Sequence, residues 1–267
     1  MLAFANAKIN IGLNITAKRP DGYHEIETVF YPVKVQDVVE LTDADELSCV
    51  VAGNTFAGLM EDNLCYKAFR LIQQDHNIPD QQITLLKNTP IGAGLGGGSS
   101  DAAHVIKLVN NKFQLDLSLA QMEDYAARLG ADCAFFIRNS PVYATGKGEV
   151  LTPLTLDLSS YHLVLITPPI HVSTADAYSG VQPNPVTESL PDLMALPVQE
   201  WKGRVKNDFE ESVFIKYPQI QELKERLYKE GALYAAMTGS GSSVFGIFDR
   251  PVHLTDLEVQ NKVYYNV

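Results

Sequence analysis

The chain has 267 residues, of which 46% are hydrophobic, and a formal net charge of −11. A chain of this length can bury a substantial core, and it suffices for one large domain or two modest ones. It carries 32 acidic against 21 basic residues and contains no basic tract. This charge balance argues against broad binding of nucleic acid or of an anionic membrane surface.

No apolar run approaches the roughly 18 residues that a membrane span requires. The first ten residues lack the charged start and apolar centre of a signal peptide, so we expect a cytoplasmic protein. Cys49, Cys65 and Cys133 are odd in number and do not follow a metal-binding spacing. We therefore expect three reduced, structural cysteines.

The first third of the chain predicts strands followed by a helix. Residues 1–16 alternate between apolar and polar side chains well enough for a strand, and residues 36–51 predict more β structure, split at 42–45. Residues 63–76 have apolar side chains at helical spacing, and 82–86 is a short strand candidate. A glycine cluster follows this strand.

The middle of the chain predicts two helices and a boundary. Residues 101–110 and 119–129 have helical periodicity, and Gly130 is typical of a helix C-terminal cap. We place a domain boundary within 151–160, which gives domains of residues 1–155 and 156–267.

Residues 163–166 then predict a buried strand, and a loop-like stretch containing Pro183, Pro185, Pro191 and Pro197 comes after it. A helix at 220–230 precedes a strand at 232–236 and a second glycine loop. Strands and helices are mixed without clean βαβ units, so we predict an α+β protein of two lobes.

The strongest local signal is the segment from Pro90 to Ser100, with five glycines in the seven positions 92–98. Glycines remove the Cβ atoms that would keep a ligand from the backbone, and the following helix start offers N–H groups and a positive dipole end. This pattern predicts a phosphate-binding loop. Ser99 and Ser100 could cap the helix, bind phosphate or hold a magnesium ion. The alternative is a flexible surface turn with an ordinary serine cap.

The glycine loop alone does not identify which phosphate-containing ligand binds. Gly92, Gly94 and Gly97 match the dinucleotide-binding pattern, but Asp116, at the spacing of a ribose-binding acid, lacks the expected preceding strand. A nicotinamide oxidoreductase therefore remains an alternative. The Walker pattern is absent. The second glycine loop, 237–245, indicates either a second wall of a ligand site or a hairpin turn.

Three blocks carry a family resemblance: Ala7-Lys8-Ile9-Asn10, the central glycine loop, and Thr238-Gly239-Ser240-Gly241. In this order they resemble the GHMP small-molecule kinase superfamily. Residues 19–24, 61–64 and 129–132 are most similar to members that phosphorylate a cytidine diphosphate sugar alcohol. Two departures stand out: Cys133-Ala134 replaces a common Val-Pro pair, and Tyr178 replaces a Phe found in some relatives.

The resemblance implies the two-lobed GHMP kinase fold, with mixed sheets and packed helices, and transfer of a phosphoryl group from ATP to an alcohol. It implies Lys8 and Asp132 as the catalytic pair. An alcohol attacks phosphorus poorly, so the site needs in-line positioning, a cation for the phosphoryl oxygens and a carboxylate near the departing proton. Lys8 would polarise the hydroxyl and keep Asp132 ionised, while Asp132 would orient the hydroxyl or accept its proton.

The resemblance also implies two sets of binding residues. On the sugar alcohol, Tyr23 and Tyr178 would sandwich cytosine, His24 would read its polar edge, and Asn10 and Thr174 would contact the erythritol part. Magnesium is expected on charge grounds, with ligands left open. The ATP-binding set is Asn63 and Lys87 near adenine, together with Pro90, Gly92, Gly94, Leu95, Gly96, Gly97, Gly98, Ser99 and Ser100 around the phosphates.

The expected partners are thus ATP and a cytidine diphosphate sugar alcohol, with no nucleic acid and no membrane. Two further alternatives remain at this point. One is a GHMP kinase for homoserine or mevalonate, which the block Asp21-Gly22-Tyr23-His24 disfavours. The other is a non-catalytic nucleotide-binding module, although none of the catalytic residues expected from the family is missing. The sequence leaves the oligomeric state open.

Overall fold

The computed structural model describes residues 1–54 and 59–267. The strands are β1 (Leu2–Lys18), β2 (His24–Asp43), β3 (Ser48–Gly53), β4 (Gln81–Lys87), β5 (Val142–Thr145), β6 (Val150–Pro153), β7 (His162–Thr167), β8 (Tyr234–Met237), β9 (Val244–Phe248) and β10 (Lys262–Tyr265). The helices are α1 (Leu64–Asp75), α2 (Gly97–Phe113), α3 (Leu119–Ala127), α4 (Phe135–Arg138), α5 (Thr174–Ser179), α6 (Leu190–Met194), α7 (Phe209–Lys216) and α8 (Pro218–Lys229). The predicted α+β class is confirmed.

One compact unit consists of residues 1–8, 34–91 and 96–140. Its sheet places β4 between a parallel neighbour, β3, and an antiparallel neighbour, the second half of β2. Helices α1 and α2 pack against each other, and α3 and α4 pack against α2. The central helix α2 is buried over most of its length, and its buried apolar residues are Ala102, Ala103, Val105, Ile106, Leu108 and Val109.

Local sequence explains where these helices begin. Asn63 accepts a hydrogen bond from the backbone N–H of Cys65 and thereby caps α1. Ser118 and Gln121 form a reciprocal capping box at the start of α3.

The other compact unit consists of residues 9–33, 92–95 and 141–267. Here the first half of β2 pairs with β5, and β5 pairs with β6. A separate antiparallel sheet has the strand order β10-β7-β9-β8, with β8 and β9 fully buried. Helix α8 covers this sheet through Ile220, Leu223 and Leu227, which recur at helical spacing.

Several boundaries differ from the sequence-based expectation. Strand β2 begins at His24 rather than at residue 36, so it runs through both units. Helix α2 begins at Gly97, inside the glycine cluster. The predicted cap at Gly130 is wrong, because α3 ends earlier, with Arg128 as its cap residue, and Gly130 does not have a left-handed backbone.

Two more expectations need correction in the second half of the chain. The stretch predicted as loop-like contains α5 and α6, whose first turns are capped by Ser173 and Ser189. Pro191 lies in the first turn of α6, where its missing N–H has no helical partner to lose. The domain boundary between residues 155 and 156 stays a proposal. In the residues that the structure describes, no helix is long and apolar enough to cross a membrane.

Candidate active site

Lys8 and Asp132 form an ion pair in the first unit. Strand β1 places Lys8 in the interior, and its Nζ lies 3.7 Å from Asp132 Oδ2. Burial lowers the pKa of Lys8 below its ordinary value, and the neighbouring carboxylate opposes this shift. The Asp132 side chain keeps 34% of its surface exposed. The pair therefore combines a buried cation with a carboxylate that a solvent-borne ligand can approach.

The turn before α4 holds Asp132 in place. The backbone N–H of Cys133 donates to the carbonyl oxygen of Gly130 over 3.1 Å, and Lys107 Nζ donates to the carbonyl oxygen of Phe136 over 2.6 Å. Burial raises the pKa of the Cys133 thiol to about 11, against the effect of a hydrogen bond with Ser99. The hydrogen bond from Lys107, a residue of α2, ties the segment that follows Asp132 to this helix.

The start of α2 lies beside Lys8. Gly96 has a φ of 68° and no side chain with which to cap the helix. A Cβ added at Gly96 would lie 3.2 Å from both Lys8 Cε and the Phe136 ring, so glycine permits this close approach. At Gly98 an added Cβ would meet nothing closer than Leu64 Cδ1 at 3.9 Å. An open helix N-terminus next to an ammonium group is suited to an anion.

The two serines of the helix start differ in accessibility. Ser100 is fully buried, and its Oγ lies 3.4 Å from His104 Nδ1. Burial lowers the pKa of His104 to about 4, so the neutral ring donates from Nδ1 to the carbonyl oxygen of Ser100 over 2.8 Å. Ser99 is only partly buried. Of the two hydroxyl groups, that of Ser99 is therefore the one that a phosphate or a hydrated ion can reach.

Lys87 lies in the same unit and has contacts that the sequence did not predict. Its Nζ donates to Asp37 Oδ2 and, over 2.7 Å, to Asp101 Oδ2. Asp37 Oδ1 also accepts the backbone N–H of Asn88 at 2.6 Å and that of Thr89 at 2.7 Å. Pro90 directly follows Thr89, so this network lies at the entry to the glycine loop.

The second unit brings the remaining part of the central loop onto the second glycine loop. Gly94 has a φ of 78°, and a Cβ added there would lie 2.2 Å from the carbonyl oxygen of Thr238. Thr238 Oγ1 donates to the carbonyl oxygen of Gly94 over 3.2 Å. The backbone N–H of Thr238 donates to the carbonyl oxygen of Ser243, which closes a hairpin between β8 and β9. The hairpin alternative is confirmed, and this hairpin also contacts the phosphate-loop segment 92–95, in which Leu95 is buried.

Asn10 and Asn207 hold this hairpin from two sides. The backbone N–H of Asn10 donates to Thr238 Oγ1, and Asn10 Nδ2 donates to Thr28 Oγ1, both over 2.9 Å. Asn207 Nδ2 donates to the carbonyl oxygens of Met237 at 2.8 Å and Gly239 at 2.9 Å. Sequence reasoning missed Asn207, although an asparagine two residues before the helical run of α7 was a usable signal of a cap.

The residues expected at cytosine belong to the second unit. The rings of His24 and Tyr178 stack with centroids 4.9 Å apart at 24°, and Phe209 meets Tyr178 edge-on at 4.7 Å. Tyr23 is 61% exposed, and Lys147 Nζ lies 4.9 Å from the centroid of its ring. Thr174 is exposed in the first turn of α5. The structure thus brings His24 and Tyr178 together and leaves the Tyr23 ring available.

The dinucleotide alternative is not supported by the surroundings of Asp116. The segment between α2 and α3 contains no strand, and Asp116 lies there with a φ of 53°. A ribose-binding acid would follow a second parallel strand. In residues 1–54 and 59–267, no group of three or more His, Cys, Asp or Glu side chains could hold a metal ion.

Comparisons with known proteins place this geometry in a class. The chain matches the model of the GHMP kinases N terminal domain over residues 63–140 and that of the GHMP kinases C terminal over residues 193–264. A solved mevalonate kinase shares the fold, with a TM-score of 0.73 over 99% of this chain and 98% of that one at 11% identity. The fold and the glycine loop that opens α2 define a GHMP kinase.

Closer relatives refine the class. A 4-diphosphocytidyl-2-C-methyl-D-erythritol kinase of Bacteroides fragilis (strain YCH46) is 50% identical, covering 97% of this chain and 96% of the relative. One from Cytophaga hutchinsonii is 50% identical over 93% of each chain. A crystal structure of a 4-(cytidine 5'-diphospho)-2C-methyl-D-erythritol kinase has a TM-score of 0.83 at 30% identity, over 99% of this chain and 98% of that one. The chain belongs to the 4-diphosphocytidyl-2-C-methyl-D-erythritol kinase family.

Proposed function

We propose that this chain transfers the γ-phosphoryl group of ATP to the tertiary 2-hydroxyl of 4-diphosphocytidyl-2-C-methyl-D-erythritol, a step of non-mevalonate isoprenoid precursor synthesis. The products are ADP and the 2-phosphate. The observation that carries the proposal is the Lys8–Asp132 pair, with its 3.7 Å separation, beside the open N-terminus of α2. The family of the chain supports the choice of acceptor.

Lys8 and Asp132 are the proposed catalytic residues. The acceptor oxygen forms a bond to the γ-phosphorus, the bond from that phosphorus to the β,γ-bridging oxygen breaks, and Asp132 takes the hydroxyl proton or orients it. Lys8 donates hydrogen bonds to the phosphoryl oxygens, where charge develops. A carboxylate partner opposes the loss of the Lys8 proton that burial favours.

The ATP-binding residues follow from the open helix start and the glycines around it. The backbone N–H groups at the beginning of α2 bind phosphate oxygens, and the Ser99 hydroxyl supplies a further donor. Asn63 contributes at the adenine end, where it also caps α1. The family resemblance adds to this set Lys87, Pro90, Gly92, Gly94, Leu95, Gly96, Gly97, Gly98 and Ser100.

Magnesium is part of the proposal because two anionic ligands meet in a chain of net charge −11. The chemistry of the available donors fits an ion held mainly by phosphate oxygens and water, since Asp132 beside Lys8 and Ser99 in the first turn of α2 are partly accessible oxygen donors. These two residues would hold the hydrated ion. The ion would offset phosphate charge during transfer.

The acceptor is proposed to bind at the aromatic cluster of the second unit. Tyr23 and Tyr178 sandwich cytosine, His24 reads its polar edge, and Asn10 and Thr174 contact the erythritol part. Because His24 covers one face of Tyr178, cytosine must either use the other face of that ring or displace the imidazole. Stacking on tyrosine suits a planar base.

The proposal extends to partners and location. ATP and the cytidyl alcohol are the partners, and the acidic composition argues against nucleic acid. The cytoplasm, where ATP is abundant, is the proposed compartment.

Turnover with a panel of alcohols tests the function. We expect stoichiometric ADP release with the cytidyl alcohol and none above background with homoserine or mevalonate. Absence of turnover with the cytidyl alcohol would refute the proposal. Saturable, tight binding of NADH would favour the dinucleotide alternative instead.

A further inference from the structure

Three charged side chains are buried together beneath the start of α2. Lys87 at the end of β4 is 7% exposed, Asp101 in the first turns of α2 is 1% exposed, and Asp37 on β2 is fully buried. Burying ion pairs is expensive, so such a cluster seldom adds net stability over an apolar core of the same volume. Such a cluster more often serves to hold the surrounding backbone in one defined geometry.

The cluster fixes both flanks of the glycine loop. Asp37 receives the backbone N–H groups of Asn88 and Thr89, which lead into the loop. Lys87 donates from one side to Asp37 and from the other to Asp101, which lies one turn after the loop leads into α2. The two flanks also touch, since a Cβ added at Gly97 would lie 2.9 Å from Thr89 Cγ2.

The charges of the cluster leave no spare cation for a nucleotide. One ammonium group faces two carboxyl groups, and Asp101 Oδ1 is buried without a hydrogen-bond partner. Burial lowers the pKa of Lys87, but Asp101 and Asp37 outweigh it and raise the pKa above its ordinary value. Lys87 is thus a charged group whose hydrogen bonds are directed at the protein.

We infer that Lys87 is a positioning residue which, with Asp37 and Asp101, presets the amides of the α2 start for a triphosphate, in place of the adenine contact that the family resemblance implies. This inference rests on the proposed function in one respect only, that ATP binds at the glycine loop. It makes Asp37 and Asp101 functional residues that the sequence blocks did not indicate.

Asp101→Asn tests the inference, because it removes one anchor without changing side-chain volume. Titration calorimetry at pH 8 with magnesium compares three ligands: ATP, GTP and inorganic tripolyphosphate, which has no base. A charge-assisted hydrogen bond corresponds to about a tenfold change in affinity. We expect all three ligands to bind about tenfold more weakly, by the same factor, with Asp37→Asn behaving alike.

The matched control is Asp43→Asn. Asp43 pairs with Lys112 over 2.8 Å and so joins the same two elements, β2 and α2, at their far ends with an 88% exposed carboxylate. The control should bind all three ligands as the unaltered chain does. Near-ultraviolet circular dichroism verifies that each variant is folded.

Two outcomes would overturn the inference. A loss confined to ATP would mean that the network serves adenine recognition, and unchanged binding of all three ligands by folded variants would mean a purely structural cluster. These binding measurements need no acceptor alcohol. Failure of the unaltered chain to phosphorylate the cytidyl alcohol would therefore refute the proposed function without deciding the role of Lys87.

Discussion

At the scale of single residues, the Lys8–Asp132 pair is the chemical centre of the account. Asp132 is the more accessible member of the pair, with a side chain that is 34% exposed against 5% for Lys8. The Lys8 ammonium group is buried and paired with Asp132, and a Cβ added at Gly96 would lie 3.2 Å from Lys8 Cε. Electrostatic stabilisation from a fixed donor requires little reorganisation during transfer.

Asp132→Asn should lower kcat by a factor of about 10² to 10⁴, the usual contribution of a positioned acid or base. ATP affinity should stay within about twofold, because the helix amides are unchanged. Steady-state kinetics and ATP titration measure both quantities. Asp124→Asn, an exposed aspartate on the neighbouring helix α3, serves as the control and should keep full turnover.

Tyr178 tests the acceptor site. Tyr178→Leu removes the stacking surface and should raise KM for the cytidyl alcohol about tenfold or more, since stacking of a base on an aromatic ring contributes about 1–3 kcal/mol. KM for ATP should not change. Tyr178→Phe keeps the ring and should remain close to the unaltered enzyme, so a large effect of the phenylalanine variant would assign the role to the hydroxyl group instead.

At the scale of elements, α2 buries two titratable groups with opposite pH behaviour. Burial raises the pKa of Asp101 to about 7, and burial lowers that of His104 to about 4. As pH falls from 7 to 4, the folded chain protonates Asp101 before the unfolded chain does, which adds stability. Between pH 6.5 and 4 the unfolded chain protonates its histidine first, which removes stability. The two effects oppose each other.

Asp101→Asn should make the loss of stability caused by His104 at low pH visible. Relative to the unaltered chain, the free energy of unfolding of the variant should fall by about 3 kcal/mol as pH drops from 7 to 4.5, because the stabilising protonation of Asp101 is lost. Urea unfolding at several pH values measures the difference, in which groups outside the cluster of Asp37, Lys87 and Asp101 cancel. A difference independent of pH would show that Asp101 titrates normally.

Replacing Asn207 tests how much its side chain stabilises the second glycine loop. Asn207→Ala leaves the carbonyl oxygens of Met237 and Gly239 without their donor inside the protein. Each unpaired buried group costs about 1–3 kcal/mol, so we expect the loss of two partners to lower the free energy of unfolding by about 2–6 kcal/mol. The control is Asn184→Ala, because the hydrogen bond from Asn184 Nδ2 to the carbonyl oxygen of Gln182 is exposed. This substitution should change the free energy of unfolding by less than about 0.5 kcal/mol.

Sequence patterns predicted the elements with clear apolar periodicity and missed strands too short to show it. Strand β4 and helices α1 and α8 follow their apolar spacing to within two residues at either end. The short strands β5 and β6 do not show in the sequence, because each has four residues and is defined by pairing with its neighbours. The cap predicted at Gly130 failed because glycine is common in turns of many kinds.

At the scale of the whole molecule, some parts of the candidate site could be recognised from local sequence and others could not. The blocks around Lys8, the glycine loop and Asp132 could be recognised locally, and the Lys8–Asp132 contact agrees with the resemblance. The link between Lys87 and Asp37 spans 50 positions, so no local pattern could reveal it. Asn207 was visible locally only as a cap candidate, whereas its contact with a hairpin 30 residues away was not.

The proposed reaction transfers a phosphoryl group to one particular hydroxyl, the tertiary one. The carbon that bears this oxygen carries no hydrogen, whereas the other free hydroxyls of the erythritol unit lie on carbons that do. A phosphate on the tertiary oxygen therefore has no proton three bonds away to split its phosphorus signal.

The proton-coupled phosphorus NMR spectrum of the product made from ATP and the cytidyl alcohol distinguishes these hydroxyls. For transfer to the tertiary hydroxyl we expect one new monoester signal that appears as a singlet, with one ADP formed for each product molecule. A doublet or triplet would place the phosphate on a secondary or primary hydroxyl, and inorganic phosphate with unchanged alcohol would mean hydrolysis. Either result would contradict the account.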